Sequence, residues 1–317
     1  MANYAVIDVG SNSIRLVVYS VPNDNQKAYR RSDFSSLAND KVMAGLAANP
    51  NGSEGVFTPA GIKKATSTIK SHLKHASYFK CKRIDVFATA VLRNAQNSAE
   101  AIEAIEKGAG CKINLISGED EALLGFAGAS SETLIKNGVT VDIGGGSTEL
   151  TLINDGKPQI FRSVPQGSLC SYTGYVKNIL PTEEEMLTIR ESFEDRMRTV
   201  LNPNDYQAQT LYGIGGSVRA AAKMMAVESE DRVRPKIILP TDVDALLKKC
   251  VEDPSVYARQ AIAAAPERIH TLTPGCTILS EVMHRLGASS LRVCKCGIRE
   301  GYLITRMLEA QVADPEA

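Results

Sequence analysis

The sequence predicts two related α/β domains that face each other across a cleft, and three observations support this prediction. The chain has 317 residues, which is more than one hydrophobic core usually serves. Predicted strands alternate with predicted helices in both halves, which favours layered α/β architecture. A strand-turn-strand pattern also occurs twice, at residues 7–16 and 141–150. A repeat of this kind indicates that a domain has been duplicated.

Each copy of the repeat is an apolar strand that ends in Asp-x-Gly, followed by small and hydroxyl residues and a second apolar strand. The aspartates are Asp8 and Asp142, and a third glycine turn covers residues 213–219. Glycine can take positive φ and lets the main chain approach an anion closely, while hydroxyl groups add donors. One such turn would be an ordinary hairpin, but the repetition favours phosphate binding. The predicted phosphate-binding residues are Ser11, Asn12, Ser13, Gly144, Gly145, Gly146, Ser147, Thr148, Gly215, Gly216 and Ser217.

In the first half, apolar runs predict strands near 4–9, 14–21 and 28–34, and an irregular, mobile stretch follows at 37–57. Thr58-Pro59 predicts the start of a helix with an apolar stripe. A strand at 84–88, a helix at 97–108, a strand at 113–116 and a helix capped by Ser117 complete this half.

In the second half, strands are predicted at 139–143, 149–153 and 159–164, and Thr182-x-x-Glu185 predicts a capped helix. A strand at 210–214 leads into the third glycine turn and a helix. The remaining predicted elements are helices at 241–252, 256–264 and 274–287, a strand at 290–296 and a helix at 298–310. The alternation continues to the end of the chain.

Composition excludes several functional classes. Lys plus Arg and Asp plus Glu number 36 each, so no global field marks a nucleic-acid or membrane-surface protein. No apolar run has membrane-spanning length and no signal peptide is recognisable, which predicts a cytoplasmic protein. The seven cysteines are scattered and predict neither disulfides nor a metal site. Cys294 and Cys296 alternate on a predicted strand and are interpreted as buried small residues.

Five segments together resemble the exopolyphosphatase / guanosine pentaphosphate phosphohydrolase family. They are residues 8–16, 89–97, 116–122, 142–149 and 297–301, and they lie in the family's order over nearly the whole chain. The resemblance implies the fold of the actin, sugar-kinase and Hsp70 ATPase superfamily, which is two ribonuclease-H-like domains with a catalytic cleft between them. It implies the short form of the family, with domains at 1–123 and 124–317 and a last helix, 298–312, that can pack back on the first domain.

The resemblance also assigns roles to individual residues. It implies that Glu121 is the general base, that Asp142 and Glu149 act on the metal and the attacking water, and that Arg93 holds substrate phosphate. Side-chain chemistry agrees with these roles. Carboxylate oxygens of Asp142 and Glu149, with Asp8, suit Mg²⁺ or Mn²⁺, and Arg93 and Arg15 can bind phosphate oxygens bidentately.

Several of these residues also have a purely structural interpretation. Acids in the first turn of a helix are favoured by its dipole, so Glu119 and Asp120 are interpreted as structural. Glu121 by itself would be a surface acid as readily as a base, although Gly125 and Gly128 on its helical face would leave room for a ligand. The four histidines show no ligand spacing with acids or cysteines and are interpreted as structural or surface residues.

The predicted function is removal of the terminal phosphate from inorganic polyphosphate, with hydrolysis of the 5′-phosphate of pppGpp as a second activity. The alternatives are a kinase or ATPase of the same superfamily, or an alarmone-binding regulator with weak turnover. Lys63, Lys70 and Lys74 form either a solvated helix face or a track for a long anionic chain. No nucleic-acid or membrane partner is expected, and the family makes a homodimer plausible.

Overall fold

The chain forms two compact α/β units in a computed structural model that describes residues 1–46, 55–202, 208–229 and 231–316. Among these, unit 1 contains residues 1–46, 55–134 and 296–316, and unit 2 contains residues 135–202, 208–229 and 231–295. The boundary follows residue 134, so the predicted boundary between 123 and 124 is displaced. The predicted boundary lies inside a helix, Gly118–Ser130, that packs within unit 1.

Unit 1 is built on a five-stranded sheet. Its elements up to residue 134 are β1 (Ala2–Val9), β2 (Ser13–Val21), β3 (Ala28–Tyr29), β4 (Ser35–Met43), α1 (Pro59–Ser77), β5 (Arg83–Ala88), α2 (Ala90–Arg93), α3 (Ser98–Ala109), β6 (Ile113–Leu115) and α4 (Gly118–Ser130). The strand order is β4-β2-β1-β5-β6. The first three strands are antiparallel neighbours, whereas β1, β5 and β6 are parallel. This order is that of a ribonuclease-H-like sheet.

Both faces of this sheet are buried, because apolar residues occupy successive positions of the central strands. On β1, Ala5, Ile7 and Val9 belong to one core, and Tyr4 and Val6 belong to another on the opposite face. Each large apolar side chain that becomes buried contributes roughly 1.5–3 kcal/mol. Asp8 continues the face of Tyr4 and Val6, so its carboxylate lies at the end of a buried row.

Unit 2 is built on a six-stranded sheet. Its elements are β7 (Gly138–Ile143), β8 (Thr148–Asn154), β9 (Lys157–Val164), α5 (Ser168–Tyr175), α6 (Glu183–Val200), β10 (Thr210–Ile214), α7 (Gly215–Glu228), β11 (Ile237–Ile238), α8 (Pro240–Glu252), α9 (Pro254–Ala264), α10 (Leu272–Arg285) and β12 (Ser290–Val293). The strand order is β11-β12-β10-β7-β8-β9. Strands β7 to β10 and β12 repeat the order and directions of unit 1, which confirms the predicted fold class.

The last segment of the chain returns to unit 1. It contains α11 (Ile298–Tyr302), a π-helical turn at Leu303–Met307 and β13 (Gln311–Val312), which pairs in parallel with β3. The Tyr302 ring stacks on Phe87, with 4.8 Å between the ring centroids. Two glycines allow α11 to approach α4 closely. A Cβ atom at Gly301 would lie 1.9 Å from the Leu124 carbonyl oxygen, so only glycine fits this crossing.

The prediction of an irregular stretch at 37–57 was wrong for its first part, because residues 35–43 form strand β4. This strand is difficult to recognise in the sequence because it contains polar residues such as Asn39 and Asp40. They are tolerated because β4 is at the edge of the sheet and is only partly buried. Residues 47–54 of the predicted stretch lie outside the described residues. The predicted strand at 28–34 is shorter than expected, since only Ala28–Tyr29 pair.

Candidate active site

The two repeated turns have the same backbone geometry. The Gly10 N–H donates to the Ser13 carbonyl at 3.1 Å, and the Gly144 N–H donates to the Ser147 carbonyl at 2.9 Å. The flanking strands are also in the same register, because Asp8 pairs with Arg15 and Asp142 pairs with Glu149. The repeat seen in the sequence is therefore a repeat in three dimensions.

The carbonyl oxygens of the first turn are held by neighbouring backbone. Ser11 O accepts from the Leu46 N–H at 2.7 Å, and Asn12 O accepts from the N–H groups of residues 44 and 45. Within the described part of the chain, the Asn12 Nδ2 atom is buried and has no hydrogen-bond partner. A buried amide donor of this kind is costly unless it meets an acceptor. This turn therefore offers a donor to an anion.

The second turn is held in the same manner from its carbonyl side. Gly144 O accepts from the Ser168 N–H at 2.9 Å, and Gly145 O accepts from the N–H groups of Leu169 at 2.9 Å and Cys170 at 3.0 Å. These donors are the first N–H groups of α5, so the turn caps that helix. With its carbonyl oxygens bound inside the unit, the turn can use its N–H groups to bind an anion.

The expected role of positive φ is wrong at Gly10, Gly144, Gly145 and Gly146, because none of these glycines has a positive φ. Close approach explains two of them: a Cβ atom would lie 3.3 Å from Ser13 O at Gly10 and 3.1 Å from Ser147 O at Gly144. Positive φ occurs instead in the third turn, at Gly215, where φ is +82°. The hairpin glycines therefore serve close contact within the turn.

The third glycine turn differs from the hairpins, because it connects strand β10 to helix α7. A Cβ atom at Gly215 would lie 2.0 Å from Asp142 Oδ1, and one at Gly216 would lie 2.0 Å from Arg268 Nη2. A carboxylate and a guanidinium thus each lie against the main chain of this turn. Ser217 Oγ donates to the Ile143 carbonyl at 2.8 Å, which ties the start of α7 to β7.

The other predicted hydroxyl ligands lie in or beside the hairpin turns. Ser13 is half-buried, whereas Ser147 and Thr148 are buried. Thr148 Oγ1 donates its proton to the Gln166 carbonyl at 2.8 Å. A hydroxyl has a single proton, so Thr148 and Ser217 could donate to a phosphate only by releasing these backbone contacts. Arg15 is half-buried, and its Nε donates to Asn39 Oδ1 at 2.6 Å.

Asp8 forms an ion pair inside unit 1. Arg299 Nη1 donates to Asp8 Oδ2 at 2.8 Å, and both side chains are about nine-tenths buried, at 15% and 13% exposure. Burial raises the pKa of Asp8, and the positive charge of Arg299 opposes this increase. Burial lowers the pKa of Arg299, but the negative charges of Asp8 and Glu300 outweigh it and raise that pKa overall. The two charges therefore depend on each other.

Asp142 and Glu149 form a pair of acidic residues in unit 2. Because they are directly opposite on antiparallel strands, both side chains project from the same face of the sheet. Glu149 is buried and accepts from Ser163 Oγ at 2.8 Å. Two carboxylates on one face, beside a turn that tolerates only glycine next to Asp142, offer the hard oxygen ligands that Mg²⁺ or Mn²⁺ requires. These residues fit the predicted metal.

Arg93 and Glu121 form an ion pair in unit 1. Arg93 Nη1 donates to Glu121 Oε2 at 2.8 Å and to the Ile116 carbonyl at 3.0 Å, and the side chains are 18% and 14% exposed. Glu121 is in the first turn of α4, which Ser117 caps by accepting from the Asp120 N–H at 3.0 Å. The structure therefore brings together the predicted base and the predicted phosphate-binding arginine.

The neighbours of Glu121 have structural contacts. Asp120 accepts from Ser117 Oγ at 3.0 Å and from Arg306 Nη2 at 2.7 Å, in line with its structural interpretation. The expectation that Gly128 leaves room for a ligand is wrong. A Cβ atom there would lie 2.0 Å from the Gly297 carbonyl oxygen, so the space is filled by the chain that leads into α11.

Two arginines at these turns were missed by sequence reasoning. Arg299 lies in the 297–301 segment that carries part of the family resemblance, so a signal for it was present. Arg268 is in a short 3₁₀ turn, Pro266–Arg268, and no motif marks it. Its place beside Gly216 depends on the packing of α9 against α7, which a local pattern does not reveal.

Comparison with known proteins gives a consistent result. A sequence model described as the Ppx/GppA phosphatase family matches residues 23–310. Exopolyphosphatase 1 of Mycobacterium tuberculosis is 25% identical, over 96% of this chain and 88% of that protein. The crystal structure of an exopolyphosphatase from Cytophaga hutchinsonii has a TM-score of 0.81 at 20% identity and covers 97% of this chain and 98% of that one. The Ppx/GppA family member from Aquifex aeolicus has a TM-score of 0.74 at 23% identity, with coverage of 97% and 98%.

The two solved structures support the fold, and the sequence match supports the family. The helices in the described part of the chain offer no segment long and apolar enough to cross a bilayer.

Proposed function

Because the chain belongs to the Ppx/GppA phosphatase family, we propose that it hydrolyses the terminal phosphoanhydride bond of inorganic polyphosphate and releases inorganic phosphate. The relative from Mycobacterium tuberculosis and the solved structure from Cytophaga hutchinsonii are both named exopolyphosphatases, which supports this substrate. The observation that carries the proposal is the ion pair of Arg93 and Glu121, two mostly buried charged groups 2.8 Å apart in unit 1. A phosphate-binding cation beside a carboxylate base suits the hydrolysis of an anhydride.

The reaction requires a base close to the attacking water. Water attacks the terminal phosphorus, its oxygen forms the new P–O bond, and the bond to the bridging oxygen breaks. In this proposal Glu121 accepts the proton of the attacking water, and the shortened chain leaves with the electron pair of the broken bond. The products are one inorganic phosphate and a chain that is one phosphate shorter.

Arg93 binds the phosphoryl oxygens and orients Glu121. Both hydrogen bonds of Arg93 use Nη1, and the guanidinium has further N–H groups on Nε and Nη2 that can reach a phosphate oxygen. The bond to the Ile116 carbonyl fixes the plane of the guanidinium. Arg93 can therefore hold phosphate without giving up its contact with the base.

The glycine turns bind phosphate through main-chain N–H groups and the Asn12 amide. Their carbonyl oxygens are bonded inside each unit, so they do not repel an anion at the N–H side. Arg268 beside Gly216 adds a positive charge at the third turn. Each turn can therefore bind a phosphate group of an anionic substrate.

Asp142 and Glu149 are the residues that would hold Mg²⁺ or Mn²⁺. A divalent cation bound there would neutralise charge that develops on phosphate oxygens. Ser163 fixes one Glu149 oxygen, and the main chain at Gly215 limits the positions of the Asp142 carboxylate. Asp8 was predicted as a third ligand. Its ion pair with Arg299 gives it a different role in our proposal, the support of the first turn.

The test is phosphate release by the purified protein with Mg²⁺ and long polyphosphate, pppGpp or ATP. Glu121→Gln keeps the shape of the side chain and removes its basicity, so turnover on polyphosphate should fall by about two to four orders of magnitude. Glu119→Gln is the matched control, because it removes a neighbouring acid from the same helical turn. Wild-type turnover in Glu121→Gln would refute the assignment of the base.

The choice of substrates separates the alternatives. Efficient release from pppGpp with none from polyphosphate would replace the proposed substrate with the nucleotide. Release from ATP only when an acceptor is phosphorylated would indicate a kinase. Tight binding of pppGpp without turnover would indicate a regulator.

A further inference from the structure

Two histidines and an aspartate of unit 1, none of which has a role in the proposed reaction, come together. His72 and His75 are one turn apart on α1, and Asp40 is on the edge strand β4. One ligating atom from each residue lies within 4.8 Å of the others. The sequence spacing of these histidines gave no sign of this contact, and their interpretation as structural or surface residues stays a prediction. Asp40 is far from both histidines in the sequence, and the packing of β4 and α1 brings the three residues together.

His72 is fully buried, and its contacts favour one tautomer. Nε2 lies 3.4 Å from the Ile14 carbonyl oxygen, which can only accept, so this contact is a hydrogen bond in the tautomer that carries the proton on Nε2. Nδ1 then presents a lone pair, and it is buried without a hydrogen-bond partner among the described residues. A buried acceptor that lacks a donor costs stability unless a cation or a proton meets it.

The lone pair of His72 points towards other electron-pair donors. Asp40 Oδ2 lies 3.5 Å from His72 Nδ1 and 3.0 Å from His75 Nδ1. A proton on His75 Nδ1 would make its contact with Asp40 Oδ2 a hydrogen bond. The lone pair of His72 Nδ1 would still face the same carboxylate oxygen, so two acceptors would lie against each other. Burial lowers the pKa of His72.

We propose that Asp40, His72 and His75 form a site for Zn²⁺ that uses none of the carboxylates of the proposed reaction. Two imidazoles and one carboxylate are ligands that zinc prefers, with water completing the coordination. Metal–ligand bonds of about 2.0–2.1 Å in a tetrahedron place ligand atoms about 3.4 Å apart. The contacts of 3.0 and 3.5 Å with Asp40 Oδ2 match that spacing.

The surroundings of His72 resemble the outer shell of a metal site. A histidine ligand usually donates its second ring N–H to a carbonyl or carboxylate, which fixes the ring and its tautomer. Ile14 O serves this role, and Ile14 is next to Ser13 in the first turn. Zinc at this site would join β4 to α1 and stiffen the strand that follows the turn.

The experiment measures zinc binding by the full chain after removal of metal with EDTA. A chromogenic chelator that competes for Zn²⁺ should report one zinc ion per chain. Asp40→Asn and His75→Ala should each weaken affinity by at least the roughly 10- to 100-fold that loss of an outer-shell partner costs. Both residues are partly exposed, at 43% and 50%, so the variants should fold. The zinc-dependent rise in melting temperature should disappear in both.

Unit 2 provides a matched control. His284 Nε2 lies 2.9 Å from Asp244 Oδ2, and these side chains are 53% and 40% exposed, but among the described residues no second histidine joins them. His284→Ala should therefore leave zinc affinity unchanged. Alkylation of the half-buried thiols of Cys81, Cys111 and Cys170 should also leave it unchanged, since cysteine is the other side chain that attracts zinc.

NMR spectra of the imidazole rings give a readout independent of affinity. Addition of Zn²⁺ should shift the signals of His72 and His75 and leave those of His284. Wild-type affinity in both Asp40→Asn and His75→Ala would overturn the proposal. Loss of binding after alkylation alone would assign the zinc to thiols and would also overturn it. Neither result depends on phosphate release, so the proposed hydrolase function stands or fails separately.

Discussion

Hairpins β1–β2 and β7–β8 have the same turn and the same register, but different side chains at equivalent positions. Asp8 is opposite Arg15, and the next pair on that face is Val6 with Val17. In the second hairpin Asp142 is opposite Glu149, and the next pair is Thr140 with Thr151. One aspartate therefore continues an apolar row and is neutralised by arginines, whereas the other belongs to a polar face and is beside a second acid.

This difference separates the roles that a duplicated backbone can take. An ion pair between buried groups fixes Asp8 in one position and uses its charge inside the unit. A pair of adjacent carboxylates instead concentrates negative charge, which favours a bound cation. Both copies share the turn geometry. The residue opposite each aspartate determines what that aspartate can bind.

The largest change in stability is expected from a substitution that breaks the ion pair of the first hairpin. Arg299→Met removes the cation that opposes the burial of Asp8, so unfolding free energy at pH 7 should fall by about 3–5 kcal/mol. The folded-state pKa of Asp8 should rise further above its value in the unfolded chain, because burial already raises it. Denaturant unfolding at neutral and acidic pH provides the measurement.

The sign of the pH effect follows from that raised pKa. A carboxyl group whose folded pKa is raised supports the fold when protonated, and this support is lost as pH rises through the folded pKa. The loss of unfolding free energy in Arg299→Met should thus become smaller as pH falls towards about 3.9, the ordinary pKa of Asp. The double variant with Asp8→Asn should regain most of the stability at pH 7. A deficit independent of pH would show that lost packing, and not the buried charge, causes it.

The second effect concerns the main chain beside Asp142. Gly215→Ala combines a positive φ with a Cβ atom 2.0 Å from Asp142 Oδ1, and it should cost about 2–4 kcal/mol. Gly110→Ala is the control, because Gly110 has a similar φ of +73° with nothing within 4 Å of its Cβ position. It should cost only about 1–2 kcal/mol. Equal melting-temperature losses in the two variants would argue against the contact with Asp142.

The smallest expected effect is a difference in Mg²⁺ dependence between variants of Asp142 and Asp8. Asp142→Asn should raise the Mg²⁺ concentration for half-maximal phosphate release about 10- to 100-fold, equivalent to about 1.4–2.8 kcal/mol. Asp8→Asn should shift it less, since Asp8 is paired with Arg299. Equal shifts in the Mg²⁺ titrations of the two variants would restore Asp8 as a third ligand.

The sequence was sufficient for those elements whose signals are local. Apolar runs predicted β1, β2, β7 and β8, and Ser117 and Thr182 predicted two helix starts that the structure shows as capped. Strand β4 was missed because its polar residues, including Asp40, do not alternate with apolar ones in a clear pattern. A weak edge strand is recognisable only once its partner strand is known.

Sequence motifs identified two residues that the structure places in contact. Arg93 was predicted to hold substrate phosphate and Glu121 to be the general base, and their side chains form an ion pair. The partners Arg299 of Asp8 and Arg268 of Gly216 come from distant parts of the chain, and their contacts arise from packing. Gly128 illustrates the same limit, since its sequence position suggested a ligand and its surroundings show the approach of another chain segment.

The return of the last segment to unit 1 has a consequence for synthesis on the ribosome. Asp8 and Arg299 are separated by 291 positions, so at ordinary translation rates Asp8 is made roughly 15–60 s before its partner. All of residues 135–295, which form unit 2, are made in that interval. Unit 1 thus begins first and is completed last. Chains that are truncated before Cys296 and released from the ribosome should remain sensitive to protease in strands β1 and β2, whereas unit 2 should be resistant.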